Sequence, residues 1–413
     1  MLNMAGGSVN LVFGVLVVPL QEQMGWSPAG ITLSYSLTAV TAAVLAPMVG
    51  AATDRYGARK VIMVGVVSFV LGAVSTGFTT QVWQIWITYG FFLGVTHVCI
   101  GVGILTSVTS WFRTRLGLGV GLMLASHGLG PALMAILIGL LLASVDWRTG
   151  FWTIGVAGGV LMGGLLVMFR SQPSDMGLKP YGAGPVGPAR PPREPEVEKM
   201  QVEAYRRRMQ GTPTFWKLVW AHLLGCVGHA IILIYIIPIA VAAGINEVSA
   251  AGVLSTLALV SALTRFLTPV AAERFGARDT MAAMFVLQGL PVLLLFWAGD
   301  VWQFYLFAVV FGIGYGGEGS GFPVINRQYF GAGPMGRSFG WQACGAMLGM
   351  ALGGWSGGVL YGIFGNYDTT ILLSVLTSVA GGLIILSMES SRRPIIAALG
   401  EIPAPDARAP SAD

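Results

Sequence analysis

Apolar stretches of about twenty residues recur along almost the whole chain, and they limit the possible fold more than any other feature. Twelve such stretches alternate with polar loops, at roughly 2–20, 28–49, 60–79, 84–110, 117–143, 149–169, 216–242, 248–270, 280–298, 302–325, 338–362 and 369–388. About twenty apolar residues cross the hydrocarbon layer as a helix, and a helix satisfies its own backbone hydrogen bonds where water is absent. The sequence therefore predicts an all-α membrane protein with twelve transmembrane helices.

The composition excludes an ordinary soluble domain. Hydrophobic residues make up 54% of the 413 residues and charged residues 10%, against about 25% charged residues in soluble domains. Cys99, Cys226 and Cys344 are scattered through apolar stretches without paired spacing, so the sequence predicts neither a disulfide framework nor a metal site. It shows no nucleophile–base arrangement either, so we expect no enzyme and no cofactor.

A long-period repeat divides the chain into two related halves. The segment Gly50–Lys60 reads GAATDRYGARK, and the segment Pro269–Asp279, which begins 219 residues later, reads PVAAERFGARD. In the second copy Glu273 replaces Asp54, while the arginines and the second glycine of the pattern are kept. Self-similarity at this distance indicates a duplicated unit.

The first copy resembles the loop signature of the major facilitator superfamily, Gly-x-x-x-Asp-Arg-x-Gly-x-Arg-Lys, between its second and third membrane helices. The resemblance implies two pseudo-symmetric six-helix bundles, each made of inverted three-helix repeats, with a substrate site at the midplane between them. It places the N-terminal half at 1–170, a cytoplasmic linker at 171–214, the C-terminal half at 215–390 and a disordered cytoplasmic tail at 391–413. In this superfamily the charges of the loop hold the two halves together, which implies a cytoplasmic gate formed by Gly50, Asp54, Arg55, Gly57 and Arg59.

The distribution of basic residues predicts the orientation. Every Lys and Arg except Arg148 and Arg265 lies in the loops and tails on one side, whereas the opposite loops carry five acidic residues. Positive charge marks the cytoplasmic side, so we expect a multi-pass protein of the cytoplasmic (inner) membrane with both termini in the cytoplasm. The net charge of +5 then reflects topology, and we expect the lipid bilayer rather than nucleic acid as its partner.

The linker contains a candidate surface helix at Glu196–Met209. Its Arg206, Arg207 and Arg208 would lie near anionic headgroups, or the whole linker would be a disordered tether.

Arg265 is the basic residue that topology does not explain. It lies nine residues before Arg274 within the eighth apolar stretch, about 13 Å deep at 1.5 Å per residue, where a charge costs about 2.5–3.5 kcal/mol. Its flanks resemble the eighth helix of monocarboxylate transporters and oxalate–formate antiporters, in which an arginine binds the substrate carboxylate. The resemblance implies that Arg265 binds substrate, with Tyr235 and Tyr315 supplying hydroxyl groups beside it.

Glu318 is the one acidic residue deep within an apolar stretch, at the same depth as Arg265. It is either a structural partner that neutralises Arg265 or a proton-coupling site. His229 and His97 are further proton-coupling candidates because histidine titrates near neutral pH, and His127 also falls within an apolar stretch. Monocarboxylate transporters often have an acid where this chain has Ser261, so their coupling residue is missing.

One further motif has a structural interpretation. Gly314, Gly316 and Gly319 fit the spacing of a dinucleotide fingerprint, but that fingerprint requires a preceding strand, and these glycines lie in an apolar helix.

Together these residues favour a secondary active transporter, acting as a monomer. It would move a small organic anion, a mono- or dicarboxylate, by alternating access, as proton symport or anion exchange. Two alternatives remain open: an exporter of a neutral or amphipathic compound, and a non-transporting membrane sensor.

Overall fold

The computed structural model describes residues 20–183, 195–390 and 394–396. The first predicted span, at 2–20, lies outside the described residues except for Leu20. The Pro- and Gly-rich centre of the linker, at 184–194, also lies outside them, as does the tail except for 394–396. Nine helices in the described part are long and apolar enough to cross a membrane.

Five long helices form the N-terminal group. They are α1 (Pro28–Tyr56), α2 (Ala58–Thr76), α3 (Val82–Trp111), α4 (Leu116–Ser144) and α5 (Trp147–Met168). In this group α3 packs on α1 and α2, and α5 packs on α2.

The C-terminal group follows a helix of the linker, α6 (Pro195–Gln210). Its members are α7 (Pro213–Ala242), α8 (Glu247–Phe275), α9 (Ala277–Phe296, ending in 3₁₀ turns), α10 (Val301–Glu318), α11 (Phe322–Phe330), α12 (Gly336–Phe364) and α13 (Asp368–Leu386). Within it α7 packs on α12 and α13, and α10 packs on α8 and α9. The two groups meet where α1 packs on α12 and α4 packs on α8.

Local sequence signals fix where the helices begin. The Ser27 hydroxyl accepts a hydrogen bond from the Gly30 amide at 3.2 Å, and Pro28 follows at the first helical position, where its missing N–H has no effect. Thr212 and Asn246 cap α7 and α8 in the same way. The Asp146 carboxylate caps α5, and its hydrogen bond from the Thr149 hydroxyl is the main reason that the pKa of Asp146 is below its ordinary value.

The duplicated motif ends α1 and α8 with the same backbone conformation. Gly57 and Gly276 have φ values of 86° and 104°, in the region that glycine enters without steric cost. They occupy equivalent positions of the two copies, so the retained glycine has a conformational cause in both halves.

Glycines allow α12 to lie directly on α7. A Cβ added at Gly345, Gly349 or Gly353 would meet the carbonyl oxygen of Val219, Leu223 or Val227, respectively. The contacts repeat every four residues on both helices, so these glycines permit the close approach of α12 and α7. Large apolar side chains instead cover the outward faces, among them Met48, Val160 and Leu259, as expected for a surface in contact with lipid.

We expect Gly353→Ala to destabilise the fold, since its methyl group would collide with the Val227 carbonyl and push α12 away from α7. Such overpacking costs about 1–3 kcal/mol. Gly362→Ala on the same helix is the matched control, because nothing lies within 4 Å of its Cβ position. Thermal unfolding of the purified variants in detergent checks this: a lower melting temperature for Gly353→Ala alone is expected, and equal melting temperatures would contradict it.

Candidate functional site

Arg265 projects from the middle of α8 onto the ring of Tyr315. Its guanidinium carbon lies 4.9 Å from the ring centroid, and the side chain is partly exposed. Among the described residues, the guanidinium forms neither a hydrogen bond nor an ion pair. An arginine charge held by one aromatic face keeps its planar set of donors free for a ligand.

Tyr315 connects this arginine to two other aromatic rings. Its ring is 4.8 Å from that of His229 on α7 and stacks at 6.3 Å on Phe311 of its own helix.

Tyr235 does not join this cluster. Its hydroxyl donates to the Gly354 carbonyl at 2.8 Å, and its ring packs against Gly357 and lies 6.1 Å from that of Tyr367. Its contacts are therefore with α12 and α13 rather than with Arg265.

Glu318 is buried at the end of α10, with its side chain 1% exposed. Its Oε2 lies 3.6 Å from His229 Nδ1, while its Oε1 points at Gly225, where any side chain would collide with it. Glu318 interacts electrostatically with Arg265, but no direct ion pair joins these two described residues. The carboxylate and the guanidinium are thus near neighbours with separate surroundings.

Four buried polar atoms around Glu318 have no hydrogen-bond partner among the described residues. They are Glu318 Oε1, His229 Nδ1, His222 Nδ1 and Gln288 Oε1. Each such atom costs about 1–3 kcal/mol when buried unpaired, and native structures keep only a few per 100 residues, so four in one place call for an explanation. Their concentration marks this pocket as a candidate site for a proton or a cation.

The pocket contains two residues that the sequence interpretation missed, His222 and Cys226 of α7. His222 stacks on Phe322 with 4.1 Å between ring centroids, and Cys226 is buried. Ligand atoms of His222, Cys226 and Glu318 lie within 4.8 Å of one another. The sequence predicts no metal site, because Glu318 is far from α7 along the chain; the i, i+4, i+7 spacing of His222, Cys226 and His229 could have indicated a shared face.

The other histidines lie elsewhere. His97 is on α3 in the N-terminal group and is partly exposed. The side chain of His127, on α4, lies outside the described residues.

Asp54 joins the two groups of helices at the end of α1. Its carboxylate, 1% exposed, accepts hydrogen bonds from the backbone amides of Gly336 and Arg337, at 2.7 and 3.0 Å. These amides are the unsatisfied donors at the start of α12, where the helix dipole also favours a negative charge. Arg206 of α6 adds an ion pair, with its Nε 3.4 Å from Asp54 Oδ2.

Glu273 makes the equivalent contact in the other half. Its carboxylate accepts from the amides of Leu116 and Gly117 at the start of α4, at 3.1 and 2.8 Å. Asp54 and Glu273 therefore form a pseudo-symmetric pair, which we call the gate. It joins the two groups of helices with one carboxylate from each half.

The remaining residues of the gate motif have other roles. Gly50 lies against the backbone of Gly336 and Gly340, so any side chain there would separate α1 from α12. Arg55 lies over the Tyr56 ring at 5.2 Å. Arg59 bonds within its own half, its amide donating to the Ser171 hydroxyl at 2.9 Å.

The linker helix α6 packs over the gate. Arg206 is buried against Asp54, so the expectation that it lies near headgroups is wrong for this residue, whereas Arg207 is 80% exposed. The Tyr205 hydroxyl donates to the Phe330 carbonyl at 2.5 Å. Glu203 forms an ion pair with Arg337, with its Oε1 3.6 Å from Arg337 Nη1.

Comparison with known proteins identifies the family. The family model of the Major Facilitator Superfamily matches residues 1–270 and 244–408. Among solved structures, the transporter FucP in its outward conformation superposes with a TM-score of 0.70 over 93% of this chain and 96% of FucP, at 14% identity. At that identity the likeness shows the fold alone.

The curated relatives match the chain at low identity or over a small part of its length. The MFS transporter asaE of Aspergillus flavus is 24% identical over 69% of this chain, which spans only 60% of asaE. The oxalate:formate antiporter of Oxalobacter formigenes is 24% identical over 87% of this chain and 82% of its own length. Human monocarboxylate transporter 11 is 31% identical, but over 26% of this chain and 23% of its own length.

We expect Asp54→Asn to open the gate more often. A carboxylate at a partly buried helix N-terminus contributes up to about 2 kcal/mol, so its loss should shift the closed-to-open ratio by up to about 30-fold. The probe is a cysteine at Ala46, a buried residue packed against Gly340, in a chain lacking its three native cysteines. Thiol labelling should be faster in Asp54→Asn than in Arg55→Gln, the control from the same motif, and equal rates would contradict this role.

Proposed function

Because the chain belongs to the major facilitator superfamily, we propose that it moves a small organic anion, a mono- or dicarboxylate, across the cytoplasmic membrane by alternating access. The observation that carries this proposal is the free guanidinium of Arg265. It lies in the middle of a membrane-spanning helix and rests on Tyr315, without an ion pair or hydrogen bond from any described residue.

The chemistry of arginine favours a carboxylate as the ligand. Arginine stays protonated at any accessible pH, and its planar donors match the two oxygens of a carboxylate. An uncompensated charge in the membrane is unfavourable, so a bound anion would stabilise Arg265 as well as be recognised by it. The names of the oxalate:formate antiporter and of monocarboxylate transporter 11 support the same substrate class.

The gate supplies the alternation of access. The basic loops lie at the end of the helices that carries Asp54 and Glu273, and we assign this end to the cytoplasm by the positive-inside rule. The described structure is then closed to the cytoplasm and faces outward. Opening inward would break both carboxylate–helix contacts and would require α6 to release Asp54.

Two coupling schemes fit the site. In anion exchange, the protein would switch between its outward-facing and inward-facing states only while an anion neutralises Arg265. In proton symport, Glu318 would carry the proton, because it is buried beside Arg265 and His229, and its charge state changes the net charge of the site. Gate and site come from one chain, so a monomer is sufficient for either scheme.

We expect Arg265→Lys to fold but to bind carboxylates poorly. Lysine keeps the charge and loses the two-pronged geometry, and a charge-assisted hydrogen bond is worth about 1.5–3 kcal/mol, so affinity should fall by about 10- to 100-fold. Binding of mono- and dicarboxylates to the purified protein by thermal shift and calorimetry measures the loss.

Arg274→Lys is the matched control, since Arg274 is an exposed residue near the end of the same helix. Carboxylate binding at wild-type affinity by folded Arg265→Lys would overturn recognition by this arginine. Binding of neutral compounds alone, unaffected by either substitution, would instead favour an exporter.

Glu318→Gln distinguishes the two coupling schemes. If Glu318 carries the proton, the variant should lose uptake driven by a pH gradient and keep exchange of labelled anion in proteoliposomes. Uptake that still follows the pH gradient would exclude Glu318 as the proton carrier. Fluorescence-detected size-exclusion chromatography confirms that the variant is folded before either assay.

A further inference from the structure

We propose that His222, Cys226 and Glu318 form a binding site for a zinc ion inside the C-terminal group of helices. One ligand atom from each residue lies within 4.8 Å of the other two. Two of the ligands come from α7 and the third from the end of α10, so the ion would join two helices that line the centre of this group.

The backbone places the two α7 ligands on one face. His222 and Cys226 are four residues apart, which is about one helical turn, and their side chains therefore lie one above the other. Glu318 reaches the same face because Gly225, the neighbour of Cys226, has no side chain to occupy the space of its carboxylate. A site of three protein ligands leaves a fourth position for water or another ligand.

The donor set selects the ion. Imidazole nitrogen, thiolate sulfur and carboxylate oxygen are the ligands of Zn²⁺, whereas Mg²⁺ and Ca²⁺ prefer oxygen alone. Zinc–ligand bonds of about 2.0–2.3 Å in a tetrahedron separate the ligand atoms by about 3.3–3.8 Å. Binding of zinc would therefore bring the three ligand atoms closer together by about 1 Å.

The second observation is the state of these side chains. Glu318 Oε1 and His222 Nδ1 are buried and have no hydrogen-bond partner among the described residues. The Glu318 side chain as a whole is only 1% exposed. A buried carboxylate needs a compensating positive charge or hydrogen bonds, and Arg265 does not pair with it directly. A zinc ion bound to the cluster would supply the compensating positive charge.

His229 supports the site without being one of the three ligands. Its Nδ1 lies 3.6 Å from Glu318 Oε2, the oxygen on the other side of the carboxylate from Gly225. This distance is too long for a hydrogen bond, but a small approach of the two side chains would form one, and partners of that kind fix the orientation of a ligating group and raise metal affinity. His222 is the partly exposed member of the cluster and marks the route by which an ion would enter.

The experiment measures metal binding to the purified full chain in detergent. The chain is purified through an affinity tag without histidines, and the tag is removed before the measurement. Titration with Zn²⁺ by calorimetry should give one ion per chain with a dissociation constant in the micromolar range or below. Titration with Co²⁺ should give a tetrahedral visible spectrum and a sulfur-to-cobalt charge-transfer band, which requires ligation by a cysteine.

Cys226→Ser should abolish the charge-transfer band, and Cys226→Ser, His222→Gln and Glu318→Gln should each weaken Zn²⁺ binding by at least about 10-fold. Cys344→Ser is the matched control, because Cys344 is a free cysteine of the same group of helices outside the cluster. Since Cys226→Ser changes a single atom, it keeps the test valid even if Glu318→Gln fails to fold. No binding of Zn²⁺ by the wild-type chain, wild-type affinity in folded Cys226→Ser, or a cobalt spectrum without the sulfur band would overturn the site; none of these results depends on anion transport.

Discussion

A carboxylate that caps the first turn of a helix in the opposite half is the interaction on which this structure depends. Asp54 binds the two free amides at the start of α12, and Glu273 binds those at the start of α4. The Asp54 carboxylate is 1% exposed, whereas Glu273 is an exposed residue whose hydrogen bonds are partly buried. Each contact rests on two hydrogen bonds and on the dipole of one helix end, and together the two contacts join the two groups of helices at one end.

The centre of the molecule holds charges that do not neutralise one another directly. Arg265 rests on Tyr315, and Glu318 lies beside His229, so a positive and a negative group share a pocket without an ion pair. A direct pair between the two would satisfy both charges, and separating it would leave each charge buried without its partner, which is costly. Under the proposals made above, the absence of this pair leaves Arg265 free to take an anion and Glu318 free to take a proton or a cation.

Sequence patterns predicted the helices, the duplication and the deep charged residues, because these depend on composition and on local spacing. The Ser27 cap and the glycine contacts of α12 also have local causes, since each depends on one residue type at one position. The sequence does not predict the partners of Asp54, because they are backbone amides 282 and 283 residues away. A backbone amide does not depend on a particular side chain, so no residue type marks it. Two further features depend on how each helix is rotated about its axis: the His222–Cys226–Glu318 cluster and the contact of Tyr235 with α12. When every face of a helix is apolar, the apolar pattern barely constrains this rotation.

Helix α8 carries both the anion-binding candidate and one half of the gate. Arg265 and Glu273 are eight residues apart, about 12 Å along the axis, and Pro269 lies midway between them inside the helix. Proline donates no hydrogen bond and crowds the carbonyl four residues earlier, which here is the carbonyl of Arg265 itself. The carbonyl of the proposed binding residue therefore lacks its helical hydrogen bond, and on its other side the backbone of Pro269 lies against Gly117 at the start of α4. Under the proposed function, an anion bound to Arg265 would act beside this missing hydrogen bond, so bending of α8 there would move the contact of Glu273 with α4.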